Sequence, residues 1–468
     1  MNLKRLIALM MIMTCLIVMI GCQSTNEDTG EAVENAANTV NEATEETREE
    51  TTEEVAEVEE GLSADDIMAA IADDSVVVVD TRQNDSFLGW DLDGKAGHIE
   101  GAVDFSYNWL SADEALLTET LEVKGITLEK QVILYDTNLE QAELVKAFLE
   151  GNGFENVSVF DLNNWSGDLV QYENYHLIVP AQVVKAVVDG ETPQTFEAGT
   201  EIKIVEASWG ESKTSYDNGH IPTAFHINTD SVEPPPSWML ASDDILTEFA
   251  LSHGFTVNDT VIVTGEEPMA AYRVALVLRY MGVEDVRVLN GGHKAWTDAG
   301  YELSTESHEP VAVEAFGAEI PVRPELVETI EELQVSLNDP SFTLVDNRTW
   351  EEHIGESSGY SYHDKMGRIP GSVYGYAGKE NSYSMTYFRN PDNTMRRPEE
   401  FVALWEENGI DMNNTLAFMC GSGWRAAEIL FFADVYGIDS VTLYSDGWIG
   451  WSNNGYPTET GSYDPKAN

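Results

Sequence analysis

The chain repeats one pattern of apolar and polar positions three times between residues 62 and 460. Each repeat opens with a short apolar run that ends in an acidic residue, at 76–80, 202–206 and 342–346. A second apolar run follows, at 131–135, 260–264 and 415–419. An amphipathic helical stretch and a third apolar run come next. Short apolar runs that alternate with helices are typical of a parallel sheet covered by helices. The pattern therefore predicts an α/β fold of three tandem domains, each a parallel sheet flanked by helices.

The length of the repeated region also favours three domains, because a single hydrophobic core rarely grows beyond about 250–300 residues. A tryptophan closes each repeat, at Trp165, Trp296 and Trp451. We place the domains at residues 62–172, 178–304 and 322–460, with joints near 173–180 and 304–322.

Only the third repeat has a thiol at the end of its second apolar run. Cys420 lies 17 residues before Gly437. The same spacing before the matching glycines of the other two repeats leads to Gly265 and Asp136. Because neither residue can act as a sulfur nucleophile, we expect domains 62–172 and 178–304 to be inactive and domain 322–460 to be catalytic.

Cys420 begins the loop Cys-Gly-Ser-Gly-Trp-Arg at residues 420–425, between a strand-like run and a helix-like run. Two glycines let this loop fold back and turn its backbone N–H groups towards the sulfur. A thiol at a helix N-terminus, beside Arg425, is expected to react as a thiolate. The other cysteines, Cys15 and Cys22, lie near the N-terminus, so Cys420 has no partner for an internal disulfide and no companions for a thiolate metal site.

The N-terminus has the pattern of an export signal. Lys4 and Arg5 precede an apolar stretch, and Gly21-Cys22 follows it, as in bacterial lipoprotein processing sites. We predict a signal peptide at 1–21, lipidation of Cys22, and an acidic tether at 22–61. This would place the protein outside the cytoplasm, either lipid-anchored to the bacterial cell membrane or periplasmic. A plain signal peptide cut elsewhere and an uncleaved anchor remain open alternatives.

The chain carries a formal net charge of −58. So acidic a protein would repel nucleic-acid phosphates, which excludes a nucleic-acid partner. An anionic substrate would need a local group of positive charges. The densest such group along the sequence is Arg389, Arg396 and Arg397, which either draws in an anion or lies on a solvated surface loop.

These features resemble the rhodanese, or thiosulfate sulfurtransferase, family over essentially all of residues 62–460. The resemblance rests on the strand ends Asp80-Thr-Arg82 and Asp346-Asn-Arg348, on the Gly-x-Ile turns, and on the loop 420–425. It is closest to the exported bacterial sulfurtransferases that have three rhodanese domains and one active loop.

The resemblance implies that Cys420 carries sulfane sulfur as a persulfide. The donor is thiosulfate or 3-mercaptopyruvate, and we favour thiosulfate. The acceptor is thiophilic: cyanide, a thiol or a thioredoxin-like protein. This chemistry needs no metal and no cofactor, but it needs donors that stabilise a persulfide anion. The expected substrate-binding residues are Gly421, Ser422, Gly423, Trp424, Arg425 and Arg348.

Each of the two arginines has an alternative role. Arg425 could bind the anionic end of the substrate, fix the loop, or only pair with Glu428 three residues along the helix. Arg348 could hold a sulfonate or carboxylate, or form a structural salt bridge with Asp346.

Two other functions remain open. An arsenate reductase or protein phosphatase also uses a Cys-loop-Arg cradle, but phosphatase loops place five residues between the two, and this loop has four. A non-catalytic sulfur carrier or scaffold built from degenerate repeats would load sulfur once and would not turn over.

Overall fold

The computed structural model describes residues 61–462. The predicted signal peptide, Cys22 and residues 22–60 of the predicted tether lie outside the described residues. In the described part of the chain, no helix is both long enough and apolar enough to cross a membrane.

Three separate parallel sheets follow one another along the chain, and each lies within one of the predicted domains. Their strands are β1 (Val76–Asp80), β2 (Val103–Asp104), β3 (Gln131–Asp136), β4 (Val157–Asp161), β5 (Ile178–Val179), β6 (Ile202–Ser208), β7 (Phe225–Asn228), β8 (Thr260–Thr264), β9 (Asp285–Leu289), β10 (Val327–Glu328), β11 (Phe342–Asp346), β12 (Val373–Tyr374), β13 (Thr415–Met419) and β14 (Val441–Tyr444). The strand orders are β2-β1-β3-β4, β5-β9-β8-β6-β7 and β10-β14-β13-β11-β12. The prediction of three α/β domains is confirmed.

Helices connect the strands and cover the sheets. They are α1 (Ala64–Ile71), α2 (Asn84–Leu88), α3 (Glu114–Val123), α4 (Leu139–Gly151), α5 (Ala181–Val188), α6 (Asp243–His253), α7 (Pro268–Met281), α8 (Gly292–Asp298), α9 (Ile330–Ser336), α10 (Trp350–Ile354), α11 (Pro398–Glu407), α12 (Trp424–Tyr436) and α13 (Gly447–Asn453).

The central strands pair in the same register in all three sheets. Asp80 lies opposite Tyr135, Glu206 opposite Thr264, and Asp346 opposite Met419. The next residue along each second strand is then Asp136, Gly265 or Cys420. These three residues therefore occupy the same place at the carboxyl edges of their sheets, where functional groups of open α/β sheets collect.

One hydrophobic cluster spans the second and third domains and includes Phe87, Leu88 and Tyr172 of the first. Helix α7 of the second domain packs against α12 of the third, and both helices are buried along most of their length. The Tyr272 ring on α7 lies 5.4 Å from the rings of Phe431 and Phe432 on α12. The strands of the first domain pack in two clusters of their own. The thiol-bearing domain is therefore joined to its neighbour by apolar packing that reaches Cys420 itself.

We predict that a thiol placed in the second domain does not create a second sulfur site. A Cβ at Gly265 would lie 2.7 Å from the carbonyl oxygen of Ala207, a backbone atom that cannot move aside. Gly265→Cys should therefore lower the free energy of unfolding by about 1–3 kcal/mol. Mass spectrometry of the sulfur-treated variant should find no sulfur on residue 265.

Gly151→Cys is the matched control, because a Cβ at Gly151 on α4 meets no atom within 4 Å. This variant should keep wild-type stability. Stable sulfur loading at residue 265 would contradict the prediction. It would show that a cysteine can carry sulfur without the glycine-rich loop that surrounds Cys420 in the third domain.

Candidate active site

Cys420 stands at the point where β13 ends and the loop before α12 begins. The N–H of Gly423 donates a hydrogen bond to its Sγ, with N and S 3.2 Å apart. Gly423 can aim its N–H at the sulfur because its φ is +100°, a conformation that favours glycine. The sulfur thus lies beside the N-terminus of a 13-residue helix, where the helix dipole stabilises negative charge.

The first turn of α13 fixes the loop from behind. The N–H of Trp448 donates to the carbonyl oxygen of Cys420 (2.8 Å), and that of Ile449 donates to Gly421 (3.0 Å). The hydroxyl of Tyr360 covers Gly421 so closely that a Cβ there would lie 2.0 Å from the oxygen. The close approach of Tyr360 therefore requires glycine at 421, and the positive φ favours glycine at 423.

Arg425 is tied to a buried carboxylate. Two of its N–H groups donate to the two Oε atoms of Glu352, each at 2.9 Å, and Nη2 also donates to the Tyr360 hydroxyl (2.8 Å). Thr349, the N-cap of α10, holds Glu352 in a capping box. Burial opposes the charge of Glu352, but the guanidinium keeps the pKa of that carboxyl below its usual value. Arg425 therefore fixes the loop to α10.

The simple pairing of Arg425 with Glu428 does not occur. Glu428 instead accepts from Arg389, with Nε at 2.7 Å and Nη2 at 2.6 Å. The expectation that Arg389, Arg396 and Arg397 attract an anion, or lie on a solvated loop, is also wrong. The three side chains are only 10%, 6% and 19% exposed, and nearby glutamates pair with their charges. The sequence showed this positive charge but not the counter-ions that surround it.

Arg348 is also placed away from the thiol cavity. Its side chain is fully buried and donates to both oxygens of Asp346 (2.8 and 2.7 Å) and to the carbonyl of Gly367 (2.8 Å). Burial opposes the charge of Asp346, but Arg348 holds the pKa of that carboxyl well below its usual range. The geometry is that of the structural salt bridge, so the prediction that Arg348 binds substrate is corrected.

A cavity of about 380 Å³ opens on Cys420 at the junction of the second and third domains. From the loop, Ser422, Trp424 and Arg425 line it with the thiol, whereas Gly421 and Gly423 are not part of the lining. The remaining residues are mostly aromatic: Trp209, Glu233, Trp238 and Met269 from the second domain, and Tyr360, Tyr362, Ser382 and Tyr383 from the third. Trp209, Tyr362 and Tyr383 are more than half exposed, which places them at the mouth.

The cavity offers a bound anion fixed dipoles instead of an unpaired positive charge. Among the lining residues the structure describes, Arg425 is the one cation, and Glu352 offsets it. The carboxyl of Glu233 is buried, and burial raises its pKa to about 7 against the opposing effects of Arg273 and the Trp424 indole. Burial also raises the pKa of Tyr360 above its usual range. Its hydroxyl therefore stays protonated and, while accepting from Arg425, can donate its own proton to a bound molecule.

Sequence reasoning missed the whole contribution of the second domain to this cavity. Glu233 and Trp238 lie in the segment Val-Glu-Pro-Pro-Pro-Ser-Trp at 232–238, and Trp209 follows β6. The proline run predicts an irregular stretch. Nothing in the order of these residues along the chain shows that they reach Cys420, which lies between 182 and 211 positions later.

Comparison with known proteins agrees with the fold. The family model for the rhodanese-like domain matches residues 63–166, 187–299 and 329–454. The thiosulfate sulfurtransferase YnjE of Escherichia coli (strain K12) is 35% identical over 398 residues, which cover 83% of this chain and 89% of that protein. The 3-mercaptopyruvate sulfurtransferase of Homo sapiens is 25% identical, over 56% of this chain and 89% of that protein.

Several solved structures are similar over 86% of this chain. One is the anaerobic ergothioneine biosynthesis enzyme from Chlorobium limicola in complex with its natural substrate, trimethyl histidine, at 34% identity, a TM-score of 0.81 and 99% coverage of that chain. Another is wild-type EanB, also at 34% identity and a TM-score of 0.81, with 98% coverage. Since the family model matches most of the described residues and YnjE is alike over nearly its whole length, the chain belongs to the rhodanese family of sulfurtransferases.

Proposed function

We propose that this protein carries sulfane sulfur as a persulfide on Cys420 and passes it to a small-molecule acceptor. The observation that carries the proposal is the hydrogen bond from Gly423 N–H to the Cys420 sulfur at the floor of an open cavity. An N–H directed at a sulfur beside a helix N-terminus stabilises both a thiolate and the persulfide anion that follows it.

Thiosulfate is the proposed donor, with 3-mercaptopyruvate as the alternative. The Cys420 thiolate attacks the outer sulfur of thiosulfate, the S–S bond breaks, and sulfite leaves with the bonding electrons. The acceptor then attacks the terminal sulfur of the persulfide, and the electron pair of that S–S bond returns to Cys420. Gly421, Ser422, Gly423, Trp424 and Arg425 form the loop around the sulfur, and the similarity to YnjE supports this donor.

Cys420→Ser should abolish sulfur transfer, because a serine hydroxyl is not ionised near neutral pH and does not accept sulfane sulfur. The check is steady-state turnover of the full chain with thiosulfate and cyanide, followed as thiocyanate. Transfer by Cys420→Ser would contradict the mechanism. A single round of loading without turnover by the wild type would favour the carrier alternative, and hydrolysis of a phosphate ester or reduction of arsenate without sulfur transfer would favour the other rival.

Cys22→Ser is the matched control, since it is the same substitution outside the proposed site. It should retain full turnover. We also propose that the protein is exported and held to the membrane by lipid on Cys22, because two acyl chains give stable anchoring where one is marginal. The same variant should therefore be released from membranes or remain unprocessed, and retention of a correctly cleaved variant would contradict the anchor.

A second acceptor class has a specific observation in its favour. Six aromatic side chains line the cavity, namely Trp209, Trp238, Tyr360, Tyr362, Tyr383 and Trp424, and the Glu233 carboxyl lies among them. Aromatic faces attract quaternary ammonium groups, and the Glu233 carboxylate offsets the Arg273 guanidinium that would otherwise repel a cation there. The Chlorobium limicola enzyme is seen with trimethyl histidine. We therefore propose a trimethylammonium imidazole as an acceptor here, its ring C–H exchanging hydrogen for sulfur while Cys420 returns to a thiol.

Binding of such a cation should strengthen as the pH rises. The pKa of Glu233 is about 7 in the folded protein, so the carboxylate is favoured above that pH and lost below it. Between about pH 6 and about pH 8, the KM of the wild type for trimethyl histidine should fall as the pH rises. The KM of Glu233→Gln should change much less over the same range, because the glutamine does not titrate. At the higher pH the substitution should raise this KM about tenfold, or about 1.4 kcal/mol.

The other groups near Glu233 are Arg273, Asp230, Tyr362 and the Trp424 indole. All four are present in both the wild type and Glu233→Gln, so a difference between the two proteins is due to the carboxyl of Glu233. Turnover with cyanide serves as the control reaction and the ratio of the two KM values is the readout, because an effect of Glu233 on the thiol loop changes both reactions whereas only trimethyl histidine carries a cationic group. If Glu233→Gln changes the KM values for cyanide and trimethyl histidine alike, the carboxylate does not recognise the cation.

A further inference from the structure

A buried ion pair from the second domain lies directly beneath the thiol loop of the third. Arg273 on α7 and Glu233 are both almost fully buried, and Nε of the arginine donates to Oε2 of the glutamate (2.9 Å). Neither residue belongs to the domain that carries Cys420. A buried charged pair of this kind is costly to keep unless its remaining hydrogen bonds are made.

The pair makes those bonds to the elements that hold the loop. Glu233 accepts from the indole N–H of Trp424, the first residue of α12. Nη2 of Arg273 donates to the hydroxyl of Ser445, 2.9 Å away, in the turn that leads to α13. The pair therefore connects the N-terminal ends of the two helices between which the loop lies.

The guanidinium also bounds the space at Gly423. A Cβ on Gly423 would lie 2.9 Å from Nη1 of Arg273 and 3.2 Å from the carbonyl oxygen of Ser445. Gly423 is the residue whose N–H reaches the sulfur. A shift of Arg273 would therefore leave room for the peptide at Gly423 to move and would change the direction of the N–H that the thiol depends on.

We propose that Arg273 and Glu233 are positioning residues through which the second domain, which lacks a thiol, holds the Cys420 loop of the third domain in its reactive shape. The proposal rests on the proposed function of Cys420. It assigns to the second domain a direct part in the reactivity of the thiol, in addition to its share of the cavity wall.

Helix α7 offers a matched control. Arg279 lies on the same helix and also reaches the third domain, with Nη2 donating to Asp434 (2.7 Å). Its guanidinium packs over Phe431, 5.0 Å from the ring centroid, and Asp434 lies in the last turn of α12. Replacing Arg279 disturbs the domain interface without touching the loop.

The test compares Arg273→Lys and Arg279→Lys in the full chain. Lysine keeps the positive charge but cannot reach Glu233 and Ser445 with a rigid fork of N–H groups. The primary measurement is the rate of alkylation of Cys420 by iodoacetamide in the absence of any sulfur compound. The second is the single-turnover rate of sulfur loading at saturating thiosulfate. Thermal melting of each variant measures how far the substitution lowers the stability of the protein, so that this general effect can be separated from an effect on the thiol.

Arg273→Lys should slow both alkylation and loading about tenfold or more, since small misplacements of reacting groups have effects of this size. Arg279→Lys should keep both rates within about twofold of the wild type even if it melts earlier. Ser445→Ala, which removes one bond and leaves the ion pair intact, should give a smaller decrease and provides the test if Arg273→Lys fails to fold.

Wild-type rates in Arg273→Lys, or in Ser445→Ala if the lysine variant does not fold, would overturn the proposal. Equal slowing by Arg279→Lys would also overturn it, because the effect would then belong to the interface in general. A third outcome separates the two proposals. If the alkylation rates of the variants differ as predicted but the wild type loads no sulfur, the positioning role stands and the proposed function is overturned.

Discussion

The site depends on one turn, the passage from β13 into α12. It places the thiol at the carboxyl edge of the sheet and directs the N–H of Gly423 at the sulfur. Two glycines make the turn possible, because Tyr360 covers Gly421 and Arg273 limits the space at Gly423. Hydrogen bonds from the first turn of α13 fix the carbonyl oxygens of Cys420 and Gly421. Fixed dipoles, rather than a free cation, therefore stabilise an anionic sulfur species at this position.

This arrangement explains why the domains cannot be considered separately. The apolar interface between α7 and α12 brings Glu233 and Trp238 to the cavity, and the Arg273–Glu233 pair to the underside of the loop. The second repeat has Gly265 where the third has its thiol, and a side chain there would strike the carbonyl of Ala207. That repeat has no room for a nucleophile of its own, but its side chains complete the site of its neighbour.

Much of the fold could be predicted because its signals are local. Apolar runs such as 76–80 and 342–346, and the constant spacing that relates Cys420 to Gly265, fix strands and equivalent positions without any knowledge of contacts. The arginines could not be predicted in the same way. A sequence shows that Arg348 and Arg389 are charged, but their roles depend on partners such as Asp346 and Glu428, whose distances only the folded chain reveals. The aromatic wall was missed for the same reason, since Trp209 and Cys420 are far apart along the chain.

The central claim is that the sulfur in transit is bound to Cys420. The most direct test is to incubate the full chain with thiosulfate radiolabelled in its outer sulfur and to map the bound label by peptide. The account predicts label on the peptide that contains Cys420 and its release into the product when an acceptor is added. Label on another residue, or labelled product formed without any label on the protein, would contradict it.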